Sequence, residues 1–151
     1  MNAVDTNILI YSVDRHDPEK QMVAQELLRS LQGEETVLPW QVLCETARQM
    51  RRWADDGRIS PDAAEQYIET FREIFPIETP DQTVFDHATY LYRRFSLSHW
   101  DSLLIAACAC VGVTKLYTED MASGATFDGL QIVSPFPSSG ASRKRPRAGQ
   151  R

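Results

Sequence analysis

Four acidic residues stand where an alternating strand–helix chain collects its ligand-binding groups: Asp5, Glu45, Asp101 and Asp120. Asp5 closes the short apolar run 1–4, and Glu45 lies in the opening turns of a helix that follows a second strand. Asp101 lies in the first turn of a strongly apolar helix, and Asp120 follows the next strand within Thr118-Glu119-Asp120. In open α/β sheets the carboxyl ends of the strands are where ligands bind. Carboxylates gathered there repel one another and raise each other's pKa. A hard divalent cation such as Mg²⁺ removes that cost, because it prefers carboxylate and water oxygens. One or two such ions can deprotonate and orient a water and stabilise the leaving oxygen of a phosphodiester. That chemistry needs no nucleophilic side chain, which suits a chain without a credible Ser-His-Asp or Cys-His set.

Each acid also has a plainer reading. Asp5 can cap a helix beginning near Ile8. Ser98-His99-Trp100-Asp101 resembles a capping box with Asp in the usual Glu position. Glu45 can be a solvated helix acid, and Asp120 a turn residue. Capping and metal binding are compatible where one oxygen caps and the other faces the ion.

The elements that must position these residues follow from the punctuation. Apolar runs at 1–4, 36–38, 76–80, 115–118 and 130–133 read as strands. Between them lie helical patterns: a short one from Ile8, one opened by Asp17-Pro18 and ended by Gly33, one over 42–54, one capped by Ser60-Pro61, one over 81–95, and one from Ser98 to Gly112. The last is apolar nearly all round over 103–111, so it is expected to be buried on most sides. Strands alternating with helices imply an α/β sandwich with a parallel sheet.

The chain has 151 residues, enough for one domain with a real core, with 42% hydrophobic and 25% charged residues. Residues 1–5 lack the basic and apolar regions of a secretory signal, and the apolar stretch 103–113 is too short to span a bilayer. A cytoplasmic protein without membrane association is expected. Cys44, Cys108 and Cys110 are odd in number and lack C-x-x-C spacing, which argues against a disulfide framework or a zinc site; reduced, buried cysteines are expected. The net charge of −5 is unevenly spread. The last fourteen residues, 138–151, carry Arg143, Lys144, Arg145, Arg147 and Arg151 and no acid, so removing them takes the remainder from −5 to −10. An acidic body binds nucleic acid only where a metal ion or a basic segment neutralises it locally. Residues 138–151 are expected to form a disordered basic tail beyond a domain of residues 1–137.

The ordered motifs resemble those of the PIN-domain nucleases. Val4-Asp5-Thr6-Asn7-Ile8-Leu9 is similar to their opening motif, and Gln41-Val42-Leu43-Cys44-Glu45 to their second acidic motif. Leu97-Ser98-His99-Trp100-Asp101-Ser102-Leu103-Leu104 resembles the third and Leu116-Tyr117-Thr118-Glu119-Asp120-Met121 the fourth, while residues 129–136 resemble the closing strand. The size and the Thr-Glu-Asp-Met segment look most like the VapC toxins of toxin–antitoxin operons. The resemblance implies a three-layer α/β/α domain around a mostly parallel five-stranded sheet, with the first and fourth strands side by side. It further implies a Mg²⁺- or Mn²⁺-dependent endoribonuclease acting on structured RNA such as tRNA or rRNA, a homodimer, and inhibition by a small antitoxin protein. Carried over by position, Asp5, Glu45, Asp101 and Asp120 match the metal-holding acids. Thr6 and Asn7 match the polar pair that orients the first, and Thr118 matches a hydroxyl near the last. Glu119 is an additional acid that makes the fourth position ambiguous.

Other residues carry weaker signals. Arg48 and Arg52 share a helix face with Glu45 and could grip RNA phosphates or reach acids. His99 is expected to be a surface or capping histidine. Trp40, Trp53 and Trp100 are expected in the core or at an interface. The aromatic sets Tyr67-Phe71-Phe75 and Tyr90-Tyr92 are the candidates for a dimer surface. Two competitors remain: a catalytically inactive RNA-binding module of the same fold, and a phosphatase of the haloacid dehalogenase type. The latter needs a second Asp where Asn7 stands. No G-x-G-x-x-G follows the first strand, which argues against a dinucleotide enzyme.

Overall fold

The computed structural model describes residues 1–138. The chain runs β1 (Asn2–Val4), α1 (Thr6–Val13), α2 (Pro18–Leu31), β2 (Thr36–Pro39), α3 (Trp40–Asp55), α4 (Pro61–Ile74), β3 (Ile77–Glu78), α5 (Gln82–Phe95), α6 (His99–Cys110), β4 (Lys115–Tyr117), β5 (Thr126–Phe127) and β6 (Leu130–Val133). The strands form one sheet in the order β3-β2-β1-β4-β6-β5. All pairings are parallel except β5 with β6.

From β1 the chain steps outward to β2 and β3, then returns to β4 on the other side of β1. With right-handed crossovers, α1 to α4 cover one face and α5 and α6 the other. The reversal leaves a switch point between β1 and β4, where the carboxyl ends of two neighbouring strands diverge into different connections. The backbone N–H of Asp5 donates to Tyr117 O at 2.9 Å, so the two strand ends are tied together where they open.

The sheet has six strands rather than the five expected. The additional strand, β5, has only two residues and pairs Phe127 with Leu130 across Asp128-Gly129, both with positive φ (47° and 90°). Two left-handed residues make the tight turn whose twist matches an antiparallel hairpin, and Asp-Gly is a preferred sequence for it. Helix α1 begins at Thr6, two residues before the expected Ile8. Asp5 is its N-cap, and its carboxylate accepts the Thr6 N–H at 2.7 Å. Ser98 caps α6 as expected, accepting the Asp101 N–H at 3.1 Å.

The core joins the two helical layers to the central strands, with Ala3, Val4, Leu38, Leu116 and Ile132 fully buried. Ile132→Val removes one buried methylene beside Leu116 and is expected to destabilise by about 1 kcal/mol. Urea unfolding should show a lower midpoint at unchanged slope. Helix α6 is interior along most of its length, as its composition predicts. The cysteines depart from expectation: Cys108 is buried, but Cys44 and Cys110 are exposed, and all three are free. The basic segment from Arg143 onward lies outside the described residues.

Candidate active site

The site assembles around Asp5, which the end of β1 delivers to the switch point and which is buried (7% exposed). Its Oδ1 is held by the Thr6 N–H, and its Oδ2 accepts the Thr118 hydroxyl at 2.7 Å. Thr118, itself fully buried just after β4, is the hub. Its Oγ1 also accepts Asn7 Nδ2 at 3.2 Å and the Asp120 N–H at 3.1 Å. Asn7 Nδ2 donates on to Asp120 Oδ2 at 3.0 Å, and Asn7 Oδ1 accepts the Glu119 N–H at 3.2 Å. Thus Asp5 and Asp120 are coupled through one hydroxyl and one amide. This engages Asn7 fully, in the position where phosphatase chemistry requires a second Asp.

Glu45 joins from α3. Thr6 Oγ1 donates to its Oε2 at 3.0 Å, and Gln41 Nε2 donates to its Oε1 at 3.0 Å. Gln41 Nε2 also reaches the Trp100 carbonyl at 3.3 Å, which ties α3 to the start of α6 one residue before Asp101. Asp101 is half-buried in the first turn of α6, and its carboxylate takes no hydrogen bond among the described residues. The Thr118 hydroxyl meets Asp5 and the Asp120 backbone, whereas the side chains of Thr6 and Asn7 reach Glu45 and Asp120 rather than Asp5, the acid they were expected to orient.

Electrostatically, Asp5 is under tension. Burial is the main cause lifting its pKa to about 6; the hydrogen bonds from Thr118 and Thr6 oppose this, and the charges of Asp120 and Glu45 add to it. Among the described residues no three His, Cys, Asp or Glu side chains stand close enough together to hold an ion as they are. The donor chemistry nevertheless fits a hard divalent cation: the groups are oxygen donors, negatively charged, and the charges that act on Asp5 are those of two other acids, Asp120 and Glu45.

Glu119, the ambiguous acid, turns the other way and pairs with Lys20. Lys20 Nζ also donates to Tyr11 OH at 3.0 Å and lies over the Tyr11 ring. Burial works against the Glu119 carboxylate, yet Lys20 and Tyr11 outweigh it and hold its pKa below the usual carboxylate value. Asp120, whose carboxylate faces Asn7, is therefore the better fourth acid. Arg48 and Arg52 are exposed on α3 and form no ion pair among the described residues. Two participants escape the sequence reading. Gln41 stands four residues before Glu45, a helical spacing that could have flagged it; Lys20 meets Glu119 across 99 residues with no local signal.

The aromatic expectations divide. Trp53 is in the core, whereas Trp40 and Trp100 are 48% and 62% exposed. Phe71 and Phe75 are core residues and Tyr67 only partly buried, while Tyr90 and Tyr92 are exposed.

The family model for the PIN domain matches residues 3–122. Ribonuclease VapC23 of Mycobacterium tuberculosis is 29% identical over 130 residues, spanning 84% of this chain and 98% of that protein. Among solved structures, a toxin–antitoxin complex from Klebsiella pneumoniae superposes with a TM-score of 0.67 at 19% identity, covering 90% of this chain and 98% of that one. VapBC2 from Rickettsia felis, bound to a DNA fragment from their promoter, gives 0.66 at 13% identity over 88% and 97%. The sarcin–ricin loop cleaving toxin VapC20 of M. tuberculosis gives 0.61 at 18% identity over 80% and 90%. At such identities these structures speak to the fold.

Proposed function

Because the chain belongs to the PIN domain family, we propose that it is a metal-dependent endoribonuclease and the toxin half of a toxin–antitoxin pair. The observation that carries this reading is the buried Asp5, tied to Asp120 and Glu45 through Thr118, Asn7 and Thr6 at the switch point, where the charges of those two acids add to its own. The similarity to Ribonuclease VapC23 over 98% of that protein's length supports it.

Asp5, Glu45, Asp101 and Asp120 would hold Mg²⁺ or Mn²⁺. When bound, such an ion supplies water activation and charge neutralisation at the phosphodiester. The protein's own contribution is orientation. Thr118 and Thr6 fix both oxygens of Asp5, Asn7 fixes Asp120, and Thr6 with Gln41 fixes Glu45, so each of these acids is oriented by a neighbour, and holding an ion would require them to draw closer together. Net hydrolysis adds water across a P–O bond, leaving one hydroxyl end and one phosphate monoester. Arg48, one helical turn from Glu45, and Arg52 beyond it would meet flanking phosphates. The nuclease unit is residues 1–137. The expected partners are RNA, a small antitoxin and a second copy of the chain, with the exposed Tyr90 and Tyr92 as dimer candidates. No helix among the described residues is long and apolar enough to cross a membrane.

The test is incubation of total cellular RNA with the purified chain in Mg²⁺, in Mn²⁺ and in EDTA. Discrete fragments in either metal and none in EDTA are expected. Intact RNA in all three, with RNA still bound, would replace this reading with an inactive binding module of the same fold.

A further inference from the structure

The two exposed tryptophans stand at the site rather than at random on the surface. Trp40 is the first residue of α3, the helix that carries Glu45, and Trp100 is the second residue of α6, immediately before Asp101. Gln41 links the two helix starts, bonding Glu45 and the Trp100 carbonyl together. His99 packs edge-on against Trp100, with ring centroids 4.8 Å apart and planes at 75°. On its other side His99 lines a small cavity between α5 and α6 with Phe85 and Tyr92, both also exposed. An aromatic track therefore leads away from the carboxylates along the α5–α6 seam.

Exposed indoles cost free energy in water, and these two stand at the starts of the helices that carry Glu45 and Asp101. The charge balance says what can cover them. The body outside the basic tail carries −10, so phosphate contacts alone give it little hold on a polyanion. Stacking of bases on aromatic faces is independent of that charge, and it supplies affinity without reading sequence. Stacking also requires bases that are free of a duplex.

We propose that Trp40, on the Glu45 side, and Trp100, on the Asp101 side, are stacking platforms for unpaired RNA bases flanking the scissile phosphodiester. This rests on the ribonuclease reading above and names the side chains that would hold the bases on either side of the cleaved bond.

The test is tryptophan emission of the full chain in EDTA, titrated with three probes. These are a ten-nucleotide single-stranded RNA of mixed sequence, the same sequence as a duplex, and an abasic ribose-phosphate chain of equal length. The single strand is expected to quench emission and to bind at least about tenfold more tightly than the other two. Trp100→Ala and Trp40→Ala should each weaken it about tenfold, while Trp100→Phe keeps most of the affinity, as a stacking role requires and a merely structural one does not. Equal affinity for all three probes, unchanged by the alanine variants, would overturn the stacking role and leave the ribonuclease intact. Emission that responds to protein concentration and not to RNA would overturn it in favour of a protein–protein interface. Failure of the wild-type chain to bind any probe would overturn the stacking role, whereas the ribonuclease reading stands or falls on metal-dependent cleavage of total RNA.

Discussion

Asp5→Asn is expected to lower RNA cleavage by more than about a hundredfold while making the metal-free protein more stable. The loss follows from position. Changing a residue that merely orients a metal ligand costs about 10–100-fold, and Asp5 is the acid on which the whole network converges. The gain in stability follows from the sign of its pKa shift. The folded protein raises Asp5 from 3.8 to about 6, chiefly by burial, so between those values the native state holds a proton that the unfolded chain has released. The stability tied to that proton is fully present below about pH 4 and is lost as pH rises through about 6. A shift of this size corresponds to about 3 kcal/mol. Asn, a neutral mimic of the protonated acid, recovers that amount less about 1 kcal/mol for the altered hydrogen bond to Thr118. Thermal unfolding in EDTA at pH 7.5 should show a melting temperature several degrees above wild type, and the difference should vanish near pH 4. Added Mn²⁺ should raise the melting temperature of wild type only, because binding to the native state stabilises it by mass action. Cleavage by the variant within tenfold of wild type would remove Asp5 from the chemistry.

The same network explains which parts of the site can be read from sequence. Asp5 and Asp120 follow strand ends, so their placement follows from local pattern, as does the cap that Ser98 gives to the Asp101 helix. Thr6, Asn7 and Thr118 entered through the family resemblance, and the first two reach Glu45 and Asp120 rather than Asp5. What local pattern cannot supply is closure between segments. Thr118 meets Asp5 across 113 residues, Gln41 meets Trp100 across 59, and Lys20 meets Glu119 across 99. The order β2-β1-β4 brings these ends together, and that order came from family resemblance rather than from periodicity. The exposure of Trp40 and Trp100 was illegible for a different reason. Both stand in the first turn of a helix, where a repeat of 3.6 residues has not yet marked a buried face. Strand β5 was legible and missed: Asp128-Gly129 is a hairpin signal, but the flanking pairs are too short to register as strands.

Thr118→Val tests whether the hub acts through its hydroxyl. Valine keeps the shape and burial of threonine but offers nothing to hydrogen-bond. Asp5 Oδ2 loses its donor and the Asp120 N–H loses its acceptor, while Asn7 keeps Asp120. Leaving such groups unpaired costs about 1–3 kcal/mol, which chemical denaturation would read directly. The functional consequence is separable from that loss. The Thr118 hydrogen bond is the largest influence holding the Asp5 pKa down. Without it the acid climbs further above 6 and is more fully protonated at neutral pH. A metal ion must then displace that proton, so the rising limb of the pH–activity curve should move to higher pH. Cleavage at pH 7 should fall about 10–100-fold, the range for partners that orient a metal-holding group. Part of that loss should return at higher pH or higher Mn²⁺ concentration, which a simple loss of folded protein would not allow. Thr118→Ser, which restores the hydroxyl and removes only a methyl, should recover the wild-type pH profile. A valine variant whose pH profile and metal dependence match wild type would show that the hydroxyl serves the fold alone, and that Asp5 is set by its burial and its acidic neighbours.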